Sequence, residues 1–370
     1  MFQKKKWNEI LKIISGKNQK DVQNENGKYP IYGSGGVMGF ANDFLCPANT
    51  VVVGRKGTIN HPLFVAEPFW NIDTAFGVVA GASILPKLLY YFCLQFNFKS
   101  LDKSTGRPSV SKSDLLKIEM PVPPLDEQAR IVACIEELFS EMDNGVQTLQ
   151  TIRQQLAVYR QAVLKEAFAS MCEKKPIREV SSIVTSGSRG WVKYYSDEGA
   201  RFIRITDLTR DRIELKSNAI QRVALPEDAE GKRSRLNGND VLISITADLG
   251  SIALIPENIE EAYINQHIAM VRFLNDQQGK FMAWYLKSEY GQKDLLKNKR
   301  GGGKLGLGLD DIRDTPVPIV GNEQADEIVA EIESRLSVCD SIEKTVDTAL
   351  AQAEAMRQSI LKKAFEGGLV

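Results

Sequence analysis

Apolar residues recur at helical spacing over two long stretches of the chain. In the first they fall at Ile131, Ile135, Leu138, Met142, Val146, Leu149, Ile152, Leu156, Tyr159 and Val163. That is nine steps over 32 residues, about 3.56 per step, between the period of a straight helix and that of a coiled coil. In the second they fall at Ile328, Ile332, Leu336, Cys339, Ile342, Val346, Ala349, Ala353, Met356 and Ile360, with the same mean step. No proline interrupts either stretch; Gly145 is the weak point of the first, and Gly367-Gly368 supplies a stop after the second. Each stretch predicts a helix of roughly 40–45 residues, about 60–65 Å long at ~1.5 Å per residue. A narrow apolar stripe on so long a helix needs a partner, and the other stretch can supply it. The pattern therefore predicts an antiparallel two-helix coiled coil. Its seam takes Ile135, Leu138, Met142, Leu149 and Leu156 from one helix and Ile332, Leu336, Val346, Met356 and Ile360 from the other.

The two stretches are copies of one another. Ile131-Val132-Ala133, Ile135-Glu136, Arg160-Gln161, Leu164-Lys165 and Ala167-Phe168 recur, with a constant offset of 197, as Ile328-Val329-Ala330, Ile332-Glu333, Arg357-Gln358, Leu361-Lys362 and Ala364-Phe365. Each is preceded by an extended, proline-rich lead-in, Pro121-Val122-Pro123-Pro124-Leu125-Asp126-Glu127-Gln128 and Pro316-Val317-Pro318-Ile319-Val320-Gly321-Asn322-Glu323-Gln324. Asp126 and Asn322 are the expected N-caps.

The remaining residues, 1–125 and 171–321, lack long helical periodicity. Short β-rich runs such as Thr50–Val53, Phe202–Ile205 and Val241–Ile245 are bounded by Gly, Asn, Asp and Pro, and short helices are expected at Leu88–Asn97 and Phe281–Tyr290. Each block reads as a compact α+β domain. The chain thus divides into domain 1–125, helix 126–170, domain 171–321 and helix 322–370. The blocks repeat weakly: Asn49–Gly54 matches Asn239–Ser244, and Asn71–Ala75 matches Asn265–Ala269. Each block also reaches a basic glycine-containing loop, Lys103–Ser109 or Lys299–Lys304, before its lead-in.

Charge changes the picture. The chain holds 47 basic and 47 acidic residues, so it is formally neutral and is neither histone-like nor an acidic disordered chain. The neutrality hides a division: residues 1–125 carry net +6, 126–170 net −3, 171–321 net +2 and 322–370 net −5. Basic blocks on acidic helices favour a phosphate polyanion at the blocks. In the second block the positive charge is clustered, at Arg201–Arg212, Lys232–Arg235 and Lys297–Lys304.

Several chemistries lack raw material. Cys46, Cys93, Cys134, Cys172 and Cys339 have no paired spacing, so they read as free thiols of a reducing compartment rather than a zinc site or disulfide framework. No apolar run reaches the ~20 residues of a membrane span, and the N-terminus lacks a secretory signal; the expected location is cytoplasmic. His61 and His267 are the only histidines and read as structural. An adenine methyltransferase would need Asn/Asp-Pro-Pro-aromatic, but the only Pro-Pro follows Val122. The Tyr32–Gly36 glycine cluster reads as a turn, Gly301-Gly302-Gly303-Lys304-Leu305 fails the P-loop pattern, and Asp310-Asp311 reads as solvated or capping. No metal site is expected.

The order of these parts resembles the specificity subunit of Type I restriction–modification enzymes. The resemblance rests on the doubled lead-in and helix and on Tyr29–Gly36, Trp70–Ala75, Ser104–Pro108 and Gly301–Lys304, and it spans almost the whole chain. It implies two target-recognition domains, each reading one half of a bipartite, asymmetric DNA site. It implies paired helices that set the gap between halves and dock two modification subunits. It implies that this chain is not itself catalytic and holds no cofactor. S-adenosylmethionine, ATP and Mg would sit on the partners, the modification subunits methylating adenine and the restriction subunits translocating and cutting. A scaffold with two protein-binding domains is the alternative; the charge division and basic loops favour double-stranded DNA. The residues expected at DNA are Arg55, Lys56 and Thr58 in a turn after a strand, and Lys103 and Arg107 in the first basic loop. In the second block they are Arg189, Trp191, Lys193 and Tyr194, with Arg204, Arg233, Arg235, Arg300 and Lys304. Arginine suits guanine edges and lysine suits phosphate.

Overall fold

The computed structural model describes residues 2–216, 220–226, 232–297 and 306–369. The chain forms two compact units, 1–149 with 347–370, and 150–346. Each therefore takes part of both long helices.

The first unit begins with β1 (Lys4–Lys6), α1 (Trp7–Ile10), β2 (Leu11–Ser15), β3 (Tyr29–Gly33), β4 (Gly36–Ala41), β5 (Thr50–Gly54), β6 (Leu63–Val65), β7 (Trp70–Asn71) and β8 (Ala75–Ala80). It continues through α2 (Pro86–Gln95), α3 (Lys112–Leu115) and β9 (Glu119–Pro121) into α4 (Leu125–Phe168). A four-stranded sheet has the order β2-β8-β5-β6 and a smaller one the order β4-β3-β7. β5 reads Thr-Val-Val-Val-Gly and is buried throughout, as a β-branched run covered on both faces should be.

The second unit repeats this plan. Its elements are β10 (Lys174–Pro176), α5 (Ile177–Val180), β11 (Ser181–Ser186), β12 (Tyr195–Ser196), β13 (Ala200–Ile203), β14 (Arg222–Val223), β15 (Val241–Ser244), β16 (Ile252–Leu254), β17 (Ala262–Ile264) and β18 (Ile268–Phe273). Then come α6 (Gly279–Lys287), α7 (Glu289–Leu295), α8 (Leu309–Arg313), β19 (Pro316–Pro318) and α9 (Asn322–Glu366). The sheet order β11-β18-β15-β16 matches β2-β8-β5-β6, and β14-β13-β17 matches β4-β3-β7 with the parallel pairs β3 with β7 and β13 with β17; β12 is an added edge strand of the second unit. Each domain is closed at its base by its first and last strands: Lys4 faces Pro121 and Lys174 faces Pro318 in antiparallel pairs. The same left-handed backbone recurs before the central strand, at Asn49 and Asn239. Gly16 and Gly187 recur as close approaches: a Cβ on either would stand 1.8–1.9 Å from the carbonyl oxygen of Ile72 or Ile264.

The predicted helices are present, at 44 and 45 residues. α4 runs unbroken through Gly145, which is exposed, and α9 stops at Gly367, whose φ of +83° lets the Gly368 N–H donate to the Lys363 carbonyl. The caps differ from expectation. Leu125 and Asn322 are the first helical residues, so Asp126 lies inside the first turn rather than before it. Gln128 there is fully buried, accepting from the Leu85 N–H and donating to the Ser83 and Pro123 carbonyls.

The pairing of the helices is antiparallel in both units. In the first, Arg357 meets Asp143; in the second, Arg160 meets Asp340 and Arg335 meets Glu166, so numbers fall along one helix as they rise along the other. Aromatic side chains from the repeated Ala-Phe join the domain cores: Phe365 sits edge-on to Phe92 of α2, and Phe168 edge-on to Phe281 and Tyr285 of α6. Ile135, Ile332, Leu336 and Val346 are buried, and Leu138, Met142, Leu149, Leu156 and Ile360 are half-buried. Met356 departs from the predicted seam and is 57% exposed. The neighbouring Arg357 takes the inward direction, bonded to Asp143 and lying 4.9 Å from the centre of the Phe139 ring. Tyr159 is displaced outward in the same way beside the buried Arg160.

Candidate nucleic-acid interface

In the first domain β5 delivers the chain into the turn Arg55–Thr58. Gly57 there has φ +83°, a conformation that disfavours any side chain. The Arg55 and Lys56 N–H groups both donate to the Thr74 carbonyl, at 2.8 and 3.2 Å. The Arg55 guanidinium donates to the Asp73 carbonyl at 3.3 Å and lies over the Phe76 ring. The basic loop returns to this turn: Gly57 N–H donates to the Pro108 carbonyl (2.8 Å) and Val110 N–H to the Arg55 carbonyl (2.9 Å). The Arg107 guanidinium covers Gly57 so closely that a Cβ there would stand 2.8 Å from its Nη2. Folding thus gathers Arg55, Lys56, Thr58 and Arg107 from segments 50 residues apart. Asp102 ties the loop by accepting from Ser104 and Ser109, and these hydrogen bonds, that of the Ser104 hydroxyl foremost, hold its carboxyl below the usual range. Lys103 is paired away from the turn, with Asp114 at 3.2 Å; hydrogen bonds from Ser111, then Lys103, keep that carboxyl low too.

The residues expected in the second domain have varied placements. Trp191 is 5% exposed and stacks on Phe202 with centroids 5.0 Å apart, so its ring fills the domain interior and is not offered to a base. Lys193 is exposed over the Tyr194 ring, and Arg189 is exposed. Arg204 is half-buried, 4.0 Å from Asp207. Arg233 and Arg235 are exposed, and the Arg235 carbonyl accepts from Arg272, which pairs with buried Asp240 at 2.7 Å. Arg300 and Lys304 lie outside the described residues.

The second domain rebuilds the turn with other side chains. After β15 comes Ile245-Thr246-Ala247-Asp248, with Ala247 left-handed (φ +55°) where Gly57 is. Thr246 pairs with Gly306 as Lys56 pairs with Ser109, and Leu307 N–H donates to the Ile245 carbonyl as Val110 does to that of Arg55. Beside it stand Gln266 and His267. The Gln266 amide donates to His267 Nε2 (2.8 Å), which leaves Nδ1 protonated and donating to the Thr246 hydroxyl oxygen (2.7 Å). His267 N–H donates to Asn265 Oδ1 at 3.1 Å. Arg210 Nε donates to Asp248 at 2.8 Å; that bond is the main cause of the lowered Asp248 pKa. Thr246, Gln266 and Asp248 were not singled out in the sequence, because only the basic version of the turn announces itself; Arg210 entered only as a member of the Arg201–Arg212 cluster. The match of Asn239–Ser244 with Asn49–Gly54, continued by two residues, sets Thr246 against Lys56.

The helices carry a different surface. In the second unit Val158, Tyr159, Val338 and Ile342 are exposed apolar residues on α4 and α9, and the Arg335 guanidinium covers Tyr159. Among the described residues no group of His, Cys, Asp and Glu is arranged for a metal, and no helix is long and apolar enough to cross a membrane. The cysteines are free thiols; burial pushes Cys46 up to about 12.

The model of the Type I restriction modification DNA specificity domain matches the chain twice, at residues 1–154 and 179–352. The chain is 26% identical to the Type I restriction enzyme EcoBI specificity subunit of Escherichia coli over 352 residues, covering 86% of this chain and 73% of that one. It is 24% identical to the EcoKI specificity subunit of Escherichia coli strain K12 over 88% of this chain and 75% of that one. A chain solved in work on complex assembly and conformational transition of the type I R-M system superimposes with a TM-score of 0.76 at 17% identity, over 99% of this chain and 98% of that one.

Proposed function

The chain belongs to the Type I restriction modification DNA specificity domain family, and from that premise we propose that it is the non-catalytic sequence-reading subunit of a Type I restriction–modification complex. Each domain reads one half of a split, asymmetric site on double-stranded DNA. The observation that carries this is the doubled frame: two domains of one topology, each presenting a turn after its central strand, with different side chains on that turn. One frame with two chemistries suits a site whose halves differ. The Arg55, Lys56 and Arg107 group supplies the positive charge that phosphate contact needs.

The paired helices serve as spacer between the readers and as platform for two modification subunits, with restriction subunits joining the assembly. The exposed apolar residues of the helices, including Val158 and Ile342, suit the platform role. S-adenosylmethionine, ATP and Mg belong to the partner subunits, and the complex works in the cytoplasm. A gel shift of the complex with its modification subunits on duplex DNA tests the reading: sequence-specific, salt-weakened binding is expected, and no duplex-specific complex would refute it. Methylome sequencing of a host lacking this chain should show the loss of one split adenine-methylation motif.

A further inference from the structure

We propose that Gln266, held in place by His267 and Thr246, reads an adenine in the half-site of the second domain. This rests on the sequence-reading role given above and names the residue that performs it.

Position is the first ground. The turn at Thr246 and the loop at Gln266 occupy the places that Lys56 and the Asp73 loop occupy in the first domain. Corresponding backbone hydrogen bonds fix both, from Val110 to Arg55 and from Leu307 to Ile245, and Gly187 passes under Ile264-Asn265 as Gly16 passes under Asn71-Ile72. The second ground is the state of the glutamine. Gln128, which serves the fold, uses both ends of its amide in three hydrogen bonds. The half-buried Gln266 makes one, to His267. Among the described residues nothing occupies its Oε1. That oxygen is free to accept from a group supplied from outside.

The third ground is orientation. The Gln266 amide donates into His267 Nε2, the His267 Nδ1–H donates into Thr246, and the His267 backbone is fixed by Asn265. This chain holds the amide in one place against the ring. A carboxamide presented in that way has the pattern that matches adenine in the major groove, its oxygen accepting from N6 and its nitrogen donating to N7. Gln266 is the contact residue; His267 and Thr246 are positioning residues.

The test uses the complex reconstituted with its modification subunits. With Gln266→Ala, the methylated motif should become degenerate at one position of one half-site, an A·T pair in the wild type, with the other half and the spacing unchanged. Competition between duplexes differing only at that position should show discrimination falling about 10- to 100-fold, the worth of one bidentate pair. His267→Ala should relax the same position, with the complex assembling normally by gel filtration; a structural defect would weaken binding to every duplex equally. An unchanged motif and unchanged discrimination in Gln266→Ala would overturn the proposal, and relaxation at a G·C pair would overturn the adenine assignment. A wild-type complex with no split motif would refute the sequence-reading role itself.

Discussion

Arg160 and Asp340 pair across the two long helices, and the repeat offset of 197 residues converts Asp143 and Arg160 into Asp340 and Arg357, so this pair and that of Arg357 with Asp143 are built from the same two repeat positions. The pairs are not equal in setting. Arg160 is 7% exposed and also bonds Glu343 at 3.0 Å, and Arg212 reaches Asp340 and Glu343 at 3.3 and 3.4 Å. Arg357 is less enclosed and has no counterpart of Glu343, since that position in α4 is Val146.

Arg160→Ala should therefore cost on the order of 2 kcal/mol, below the usual loss for a fully buried pair because both carboxylates keep some solvent. Arg357→Ala should cost under about 1 kcal/mol. Urea unfolding of the two variants checks the order; equal losses would contradict it.

Gln128→Ala removes a side chain that satisfies one N–H and two carbonyls in a buried position. A loss of about 2–3 kcal/mol is expected from the groups left unpaired. Gln128→Glu should also destabilise, because a carboxylate would face the Ser83 and Pro123 carbonyls. Thermal melting of both variants measures this.

Lys287 is 5% exposed and donates to the Thr209 and Ile252 carbonyls, with burial lowering its pKa to about 8. The unfolded chain binds this proton more tightly than the folded one, so the cost of holding the charge is full below pH 8. It falls away as pH rises toward the unfolded value of ~10.4. Relative to Lys287→Met, the wild type should gain about 2 kcal/mol between pH 7 and pH 9.5. Urea midpoints at the two pH values test this, and a difference independent of pH would refute it.

Insertion or deletion of a few residues near Gln150 in α4, matched by the facing part of α9, should change the gap between half-sites and leave their identity intact. Methylome sequencing reads both quantities at once. An unaltered gap would contradict the spacer role.

Lys56→Ala and Arg107→Ala should weaken binding of the complex to all duplexes and flatten the salt dependence. Each lost phosphate contact lowers the slope of log K against log salt by about 1. A filter-binding series over salt concentration measures it, and an unchanged slope in both variants would remove this turn from the interface.

The long helices were legible because their apolar stripes persist over ten positions each, a signal no short element can imitate. Their seam was less so. Arg160 and Arg357 point inward because each finds a carboxylate across the pair, which displaces Tyr159 and Met356, and no one-helix pattern contains the partner's charge. The strands at Thr50 and Val241 were legible as β-branched runs. The first domain's turn was legible from its basic residues. Trp191 misled because aromatic and basic residues together look like a stacking surface, whereas its ring meets Phe202 and Tyr263. The second domain's turn was hidden because Thr246, Gln266 and His267 acquire meaning only when folding sets them side by side.

The first and last strands of each domain lie against each other, Lys4 by Pro121 and Lys174 by Pro318. In the second domain the polypeptide thus leaves and rejoins the helical frame at one narrow neck, and in the first the two ends of the domain meet in the same way. The size of what hangs from the neck is thereby uncoupled from the frame. A reader can lengthen, shorten or be replaced outright while the anchoring ends stay where they are.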